Sequence, residues 1–339
     1  MTSQSRPGMT VGELFAAWGS ILNGRAPMLS IEITRECPLS CPGCYAYGDS
    51  HLGGEKKLTE LSDLRGDALV EGVLGLVKKH RPLHVSLVGG EPMIRHRELS
   101  RILPELSRRN IFSMVVTSGI IPIPMEWMGL RRNRVAVSID GLPEHHDPRR
   151  KPATYDRILR NIEGQHIAVH CTITSAMVKR SGYIPEFVDF WSSNPAVEKI
   201  WMSIFTPQRG AADTECLTSD ERKRVVEILR QISLEANKLD MPGGMIEEFL
   251  SPPSSPERCI FARTTRTLSA DFKTRVEPCQ FGGDPDCSRC GCIASMGLAA
   301  VGHRRVIGSI TAGDIFWASS LIGEYVKRSE NAVHRMIYG

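Results

Sequence analysis

The 339-residue sequence has no apolar stretch of roughly 18 residues or more, so it predicts no transmembrane segment. It also lacks an excess of either charge. Its 42 Lys and Arg oppose 38 Asp and Glu, a formal net charge of +4 that is too mild for a nucleic-acid surface. The N-terminus lacks the basic-then-apolar pattern of a secretory signal. There is no internal repeat and no long low-complexity tract. With these classes set aside, the length suits one barrel-sized domain with a sizeable core, plus a small extra module. What the chain does have is ten cysteines. Without a secretory signal, they predict a reducing cytoplasm and metal binding rather than disulfides.

Three of them read Cys37-Pro-Leu-Ser-Cys41-Pro-Gly-Cys44. Three thiolates this close can hold three irons of a 4Fe-4S cluster and leave the fourth iron open to a small molecule. Zinc is the alternative, although zinc motifs more often supply two separated pairs. A second group comprises Cys259, Cys279, Cys287, Cys290 and Cys292, five cysteines within 34 residues beside glycines and prolines. Four suffice for a closed cluster or a zinc site. The ligands expected are Cys259, Cys279, Cys287 and Cys290, with Cys292 able to replace either of the last two. Cys171, inside a strand, and Cys216, in a loop, read as ordinary buried or inert cysteines.

Strand ends carry the remaining polar motifs. Met28–Thr34 leads into the cysteine trio. His84–Val88 ends at Gly89-Gly90-Glu91-Pro92, Phe112–Val116 at Thr117-Ser118-Gly119, and Arg134–Val137 at Ser138-Ile139-Asp140-Gly141. In a βα barrel this edge binds ligands. Further strands are expected at Ala168–Thr174 and Lys199–Phe205. Helices are expected at Val11–Leu22, Leu61–His80, Glu98–Arg109, Thr154–Ile162 and Ile184–Trp191. Another should open at the capping box Thr218-x-x-Glu221. Loop 48–57 is expected to cover the cysteine trio. The fold class expected is therefore α/β, a partial (β/α)6 barrel with a small cysteine-rich C-terminal module. The divisions are a helical N-terminal extension (1–27), the partial barrel (28–250), and a C-terminal module with a closing helix (251–339). The run Arg149-Arg150-Lys151 reads as solvated or near an anion.

The cysteine trio, the GGEP motif and the SIDG motif, in this order, resemble the radical S-adenosylmethionine (radical SAM) superfamily over about residues 28–210. One departure is visible: Gly43 stands before the third cysteine, where the family commonly has an aromatic residue, and Tyr45 follows it. The C-terminal cysteines resemble the twitch and SPASM auxiliary modules of that superfamily, the shorter twitch form more closely. The resemblance implies that Cys37, Cys41 and Cys44 hold a catalytic 4Fe-4S cluster. The amino and carboxylate groups of S-adenosylmethionine then chelate its open iron. One electron cleaves the cofactor to a 5′-deoxyadenosyl radical, which removes hydrogen from a substrate. Glu91 and the backbone at Gly89 and Gly90, next to Pro92, are expected to accept from the cofactor ammonium. Ser118, Ser138 and Asp140 are expected to meet its ribose and carboxylate, and Tyr45 its adenine. Arg35 could steady a carboxylate.

The resemblance also implies an auxiliary 4Fe-4S cluster and a flavodoxin or ferredoxin as electron donor. Only about 27 residues precede the first strand, so the substrate expected is a small molecule, undergoing net oxidation or rearrangement. The alternative is a peptide or protein, as in SPASM-type maturases. A methyltransferase lacks support, since no extra cobalamin domain is evident. A non-catalytic electron carrier would explain the cysteines but not GGEP and SIDG together.

Overall fold

The structure, a computed structural model, describes residues 10–211 and 214–338, and side chains as far as residue 329. Seven strands form one sheet: β1 (Met28–Glu32), β2 (His84–Val88), β3 (Phe112–Thr117), β4 (Asn133–Ser138), β5 (Ile167–Ile173), β6 (Val197–Ile204) and β7 (Thr265–Leu268). Their order is β6-β5-β4-β3-β2-β1-β7, and every neighbouring pair is parallel. The connecting helices are α1 (Val11–Leu22), α2 (Gly66–His80), α3 (His96–Arg108), α4 (Pro143–Arg150), α5 (Tyr155–Asn161), α6 (Ser175–Val178), α7 (Tyr183–Ser193), α8 (Ser219–Ile232), α9 (Gly243–Glu247), α10 (Ile260–Thr264), α11 (Ile293–Gly302) and α12 (Ala312–Tyr338). Two short strands, β8 (Arg305–Ile307) and β9 (Ile310–Thr311), pair as a hairpin before α12. Among the described residues no helix is long and apolar enough to cross a membrane.

Strand alternation divides the sheet into two faces. Leu29, Ile31, Val85, Leu87, Val115, Val135 and Val137 are buried in one core with Leu69, Val73 and Val77 of α2 and Leu99, Ile102 and Leu106 of α3. Each such side chain contributes about 1.5–3 kcal/mol when taken out of water. The other face carries Ser30, Ser86 and Met114 in one register row, and Ser138 with His170 in another. Because all strands run in parallel, their C-terminal ends share one edge, and the motifs that follow β1 to β4 meet there.

The seventh strand was absent from the six-strand expectation. Its four residues are too short for a periodicity signal, and they lie between two cysteines of the C-terminal group. β7 pairs with β1 at one edge of the sheet. At the other edge, Ile204 N donates to Gly291 O (2.9 Å) and Ile293 N to Ser203 Oγ (3.2 Å). A Cβ on Gly291 would lie 1.9 Å from Ile204 O, so only glycine permits this approach. The cysteine-rich segment thus fastens to both edges of the open barrel. α2 also starts later than expected, at Gly66 rather than Leu61. Asp63 is drawn towards the cysteine loop, accepting from Thr34 Oγ1, Arg35 N (both 3.2 Å) and Arg95 Nη2 (2.6 Å). That keeps residues 61–65 out of the helix.

Candidate active site

Cys37, Cys41 and Cys44 lie on the loop after β1, each partly exposed. Burial, reinforced by the charges of Glu91, Cys41 and Cys44, pushes the Cys37 thiol up to about 11. Burial likewise raises Cys41, against Arg150 and with Asp140 and Cys44. Thiols that resist ionisation, as Cys37 and Cys41 do, suit a site where a metal displaces their protons.

The GGEP turn is built against this loop. Gly90 N donates to Thr34 O (2.9 Å) and Glu91 N to Glu36 O (2.8 Å). A Cβ on Gly90 would lie 2.1 Å from Glu36 O, and one on Gly89 (φ +128°) 2.6 Å from Thr34 O. Both glycines therefore let the turn press on the backbone just before Cys37. Arg95, 8% exposed, ties Glu36 (2.9 Å) to Asp63 from the far side.

Glu91 is 1% exposed, and its carboxylate accepts four hydrogen bonds. Met93 N (2.9 Å) and Thr117 Oγ1 (2.6 Å) donate to Oε1; Ser118 N (2.8 Å) and Ser118 Oγ (2.5 Å) donate to Oε2. The side chain joins the ends of β2 and β3, and Ser118 turns its hydroxyl to Glu91. Pro92 starts the short helical turn that follows. Ser138 is half-buried at the end of β4.

Asp140, 3% exposed, accepts from Arg149 Nε (2.8 Å), Arg150 Nε (2.7 Å) and Arg150 Nη2 (3.2 Å). Burial opposes its ionisation, but the two guanidinium groups outweigh burial and hold its carboxyl at about 2. Arg149 also donates to Glu215. The arginine run is therefore not solvated: α4 folds it back over the acid of its own motif. Arg35, by contrast, is half-buried and donates to Thr59 O. Gly43 explains its own departure from the family pattern. Its φ is +66°, and a Cβ would lie 2.9 Å from Glu215 Oε2 and 3.6 Å from the Phe205 ring. Phe205, just after β6, occupies the space beyond.

All five C-terminal cysteines line one partly open pocket, together with Phe261, Phe281 and Ser295. Burial, with neighbouring thiols, pushes Cys279 up to about 12 and Cys287 up to about 11. Cys259 Sγ lies 3.1 Å from Ser295 Oγ, and Cys292 Sγ accepts from Gln280 Nε2 at 3.4 Å. Among the described residues no three Cys, His, Asp or Glu side chains close on one point as a single metal ion requires. Four or five thiols round one pocket fit the donor set of a 4Fe-4S cluster. Cys171 is 1% exposed inside β5, and burial raises its thiol pKa.

Arg149 and Arg150 lie near an anion, the Asp140 carboxylate, which was one of the two expectations for their run, whereas no role was expected for Glu215, Arg95, Glu32, His51 and His170. The only local signal was Glu32, a lone acid among apolar strand residues. His170 Nε2 lies 2.8 Å from Ser203 Oγ on the sheet's inner face, and burial lowers its pKa to about 4. Tyr45 is 39% exposed. Its ring meets His51 and Phe281, with centroids at 5.7 and 5.5 Å.

Residues 31–180 match the family model described as the Radical SAM superfamily. The chain is 34% identical over 281 residues to the PqqA peptide cyclase of Gluconobacter oxydans (strain 621H), covering 75% of this chain and 70% of that protein. The fold is shared with Streptococcus suis SuiB bound to S-adenosylmethionine, at a TM-score of 0.53 and 16% identity. That match covers 73% of this chain and 59% of SuiB, so the chain spans less than two thirds of that structure. SuiB bound to its precursor peptide SuiA gives a TM-score of 0.54 at 14% identity, covering 88% of this chain and 69% of that one. anSMEcpe with bound AdoMet gives 0.54 at 14% identity, covering 89% and 97%.

Proposed function

We propose that this chain, which belongs to the radical SAM superfamily, modifies a peptide. The observation that carries the proposal is the 34% identity, across most of the chain, to a protein named as a PqqA peptide cyclase. The shared fold with SuiB, which binds a precursor peptide, is in keeping with it. The expectation of a small-molecule substrate rested only on the short segment before β1, and the relatives favour the peptide alternative.

When bound, S-adenosylmethionine at the 4Fe-4S cluster supplies the 5′-deoxyadenosyl radical that removes hydrogen from the substrate. On the protein side, Cys37, Cys41 and Cys44 hold that cluster. Glu91, saturated by Met93, Thr117 and Ser118, keeps the GGEP turn rigid, and the carbonyls of Gly89 and Gly90 are the acceptors for the cofactor ammonium. Asp140 fixes Arg149 and Arg150 beside Cys41, where their charge favours the thiolate. Ser138 remains the ribose contact, at the end of β4. Cys259, Cys279, Cys287 and Cys290 hold the auxiliary 4Fe-4S cluster, with Cys292 as the surplus thiol beside Gln280. Residues 28–250 then act as the radical SAM barrel and 251–339 as the auxiliary module. A flavodoxin or ferredoxin delivers the electrons, and the net reaction on the peptide is an oxidation.

The test is anaerobic turnover of the reconstituted protein with S-adenosylmethionine, dithionite and short peptides encoded beside its gene. A peptide product about two mass units lighter, formed together with 5′-deoxyadenosine, supports the proposal. Modification of a small molecule with every peptide untouched would overturn the peptide assignment.

A further inference from the structure

The two cysteine regions meet at a buried junction, and the inference drawn from it rests on the reading that both regions hold clusters. Loop 48–54, which follows Cys44, lies against the turn 279–284. His51 is 1% exposed. Its Nε2 lies 2.7 Å from Glu32 Oε1 and its Nδ1 3.0 Å from Phe281 O. Phe281 O can only accept, so Nδ1 carries a proton; burial opposes a charge on the ring, but its bond to Glu32 outweighs burial and raises its pKa. Ser269 Oγ donates to the other Glu32 oxygen. One histidine thus ties β1, the loop after the first cysteines and the turn after Cys279.

The backbones are equally close. A Cβ on Gly282 (φ +65°) would lie 2.0 Å from His51 O, and one on Gly283 (φ +64°) 2.8 Å from Ser50 Oγ. Gln208 clamps the turn, donating to Gly282 O (3.2 Å) and accepting from Asp284 N (2.7 Å). Between the two cysteine groups stand two rings. Tyr45 directly follows Cys44, and Phe281 lies two residues after Cys279. They meet edge to face, with centroids 5.5 Å apart at 89°.

We propose that His51 is a positioning residue that locks Tyr45 against Phe281, and that this ring pair is the contact through which one electron passes between the two centres. Electron transfer through packed groups is far faster than across empty or fluctuating space. The step is balanced by one electron: one centre is oxidised by one, the other reduced by one, and no bond or proton moves. Dithionite supplies the electron in the test.

The experiment uses the full chain, reconstituted anaerobically with iron and sulfide, reduced by dithionite and read by electron paramagnetic resonance. In the native protein the two reduced clusters interact magnetically. His51→Ala keeps the same iron content but alters that interaction. His51→Gln, which retains a donor for Glu32 and loses the tie to Phe281 O, alters it less. In the metal-free chain, His51→Ala speeds hydrogen exchange in residues 45–54 and 279–284 together, by at least about tenfold. Tyr45→Leu leaves exchange unchanged and slows electron equilibration between the clusters at least about tenfold in rapid-freeze samples. Native magnetic interaction with native exchange in His51→Ala, or native equilibration in Tyr45→Leu, would overturn the inference. Release of 5′-deoxyadenosine is scored separately. A protein that releases it while holding only about four irons overturns this inference and leaves the radical reading standing. An intact, His51-dependent interaction without any release overturns the radical reading alone.

Discussion

Arg150 lays its guanidinium along Asp140, with Nε 2.7 Å from Oδ2 and Nη2 3.2 Å from Oδ1. Arg149 adds a third bond to the same carboxylate and continues to Glu215. The acid at the end of β4 is therefore the anchor of a charge cluster laid over the cysteine loop.

That anchor makes stability depend on pH. The Asp140 carboxyl is held at about 2, below its ordinary 3.8. A depressed carboxyl contributes stability above its unfolded pKa and loses it as pH falls through the folded one. The contribution is about 2 kcal/mol, fully present above about pH 5 and lost towards pH 2. Asp140→Asn should be less stable by about that amount at pH 7 and should lack this acid-dependent loss. Urea unfolding of both proteins from pH 7 to pH 3 checks it.

Glu91→Gln keeps the size of the side chain but turns an amide NH2 towards donors. Each oxygen accepts two of the four hydrogen bonds, so the amide NH2 faces two donors, one of them a backbone N–H that cannot turn away. The expected loss is about 1–3 kcal/mol, seen as a lower urea midpoint. Binding of S-adenosylmethionine to the reconstituted protein should weaken in parallel, since the GGEP turn loses its brace.

Gly43→Ala places a Cβ against Glu215 at a left-handed backbone. The strain is about 1–3 kcal/mol, and it falls on the loop that carries the cysteines. Iron loading should drop well before the fold does. Thermal unfolding of the metal-free chain and iron content after reconstitution separate the two effects.

Cys279→Ala should lower iron content by about four per chain, one cluster. Cleavage of S-adenosylmethionine uncoupled from product should persist. Cys171→Ser should leave the iron content unchanged, because that thiol is packed inside β5.

Much of the barrel was legible from local pattern. Thr218 caps α8 as its capping box predicts, and Val11–Leu22 forms the first helix within the expected bounds. The four strand-end motifs do meet at one sheet edge. What stayed hidden depends on contacts distant in sequence. β7 exists because β1 offers a free edge, not because four residues demand a strand. α2 loses its first turn to the pull of Arg95 and Thr34 on Asp63. The partners of Asp140 and Glu91 sit on other elements, and nothing in a motif says that its acid is already hydrogen-bonded. His51 carries no sequence signal, because Glu32 and Phe281 lie 19 and 230 residues away.

The most direct measurement is 5′-deoxyadenosine release by the anaerobically reconstituted chain with dithionite and S-adenosylmethionine, beside Cys41→Ala. Release by the native chain and its loss in Cys41→Ala, with unfolding of the metal-free chain unchanged, is the expected result. Equal release by both proteins, or none from a fully iron-loaded native chain under varied reductants, would contradict the assignment of the cysteine trio as the radical-generating centre.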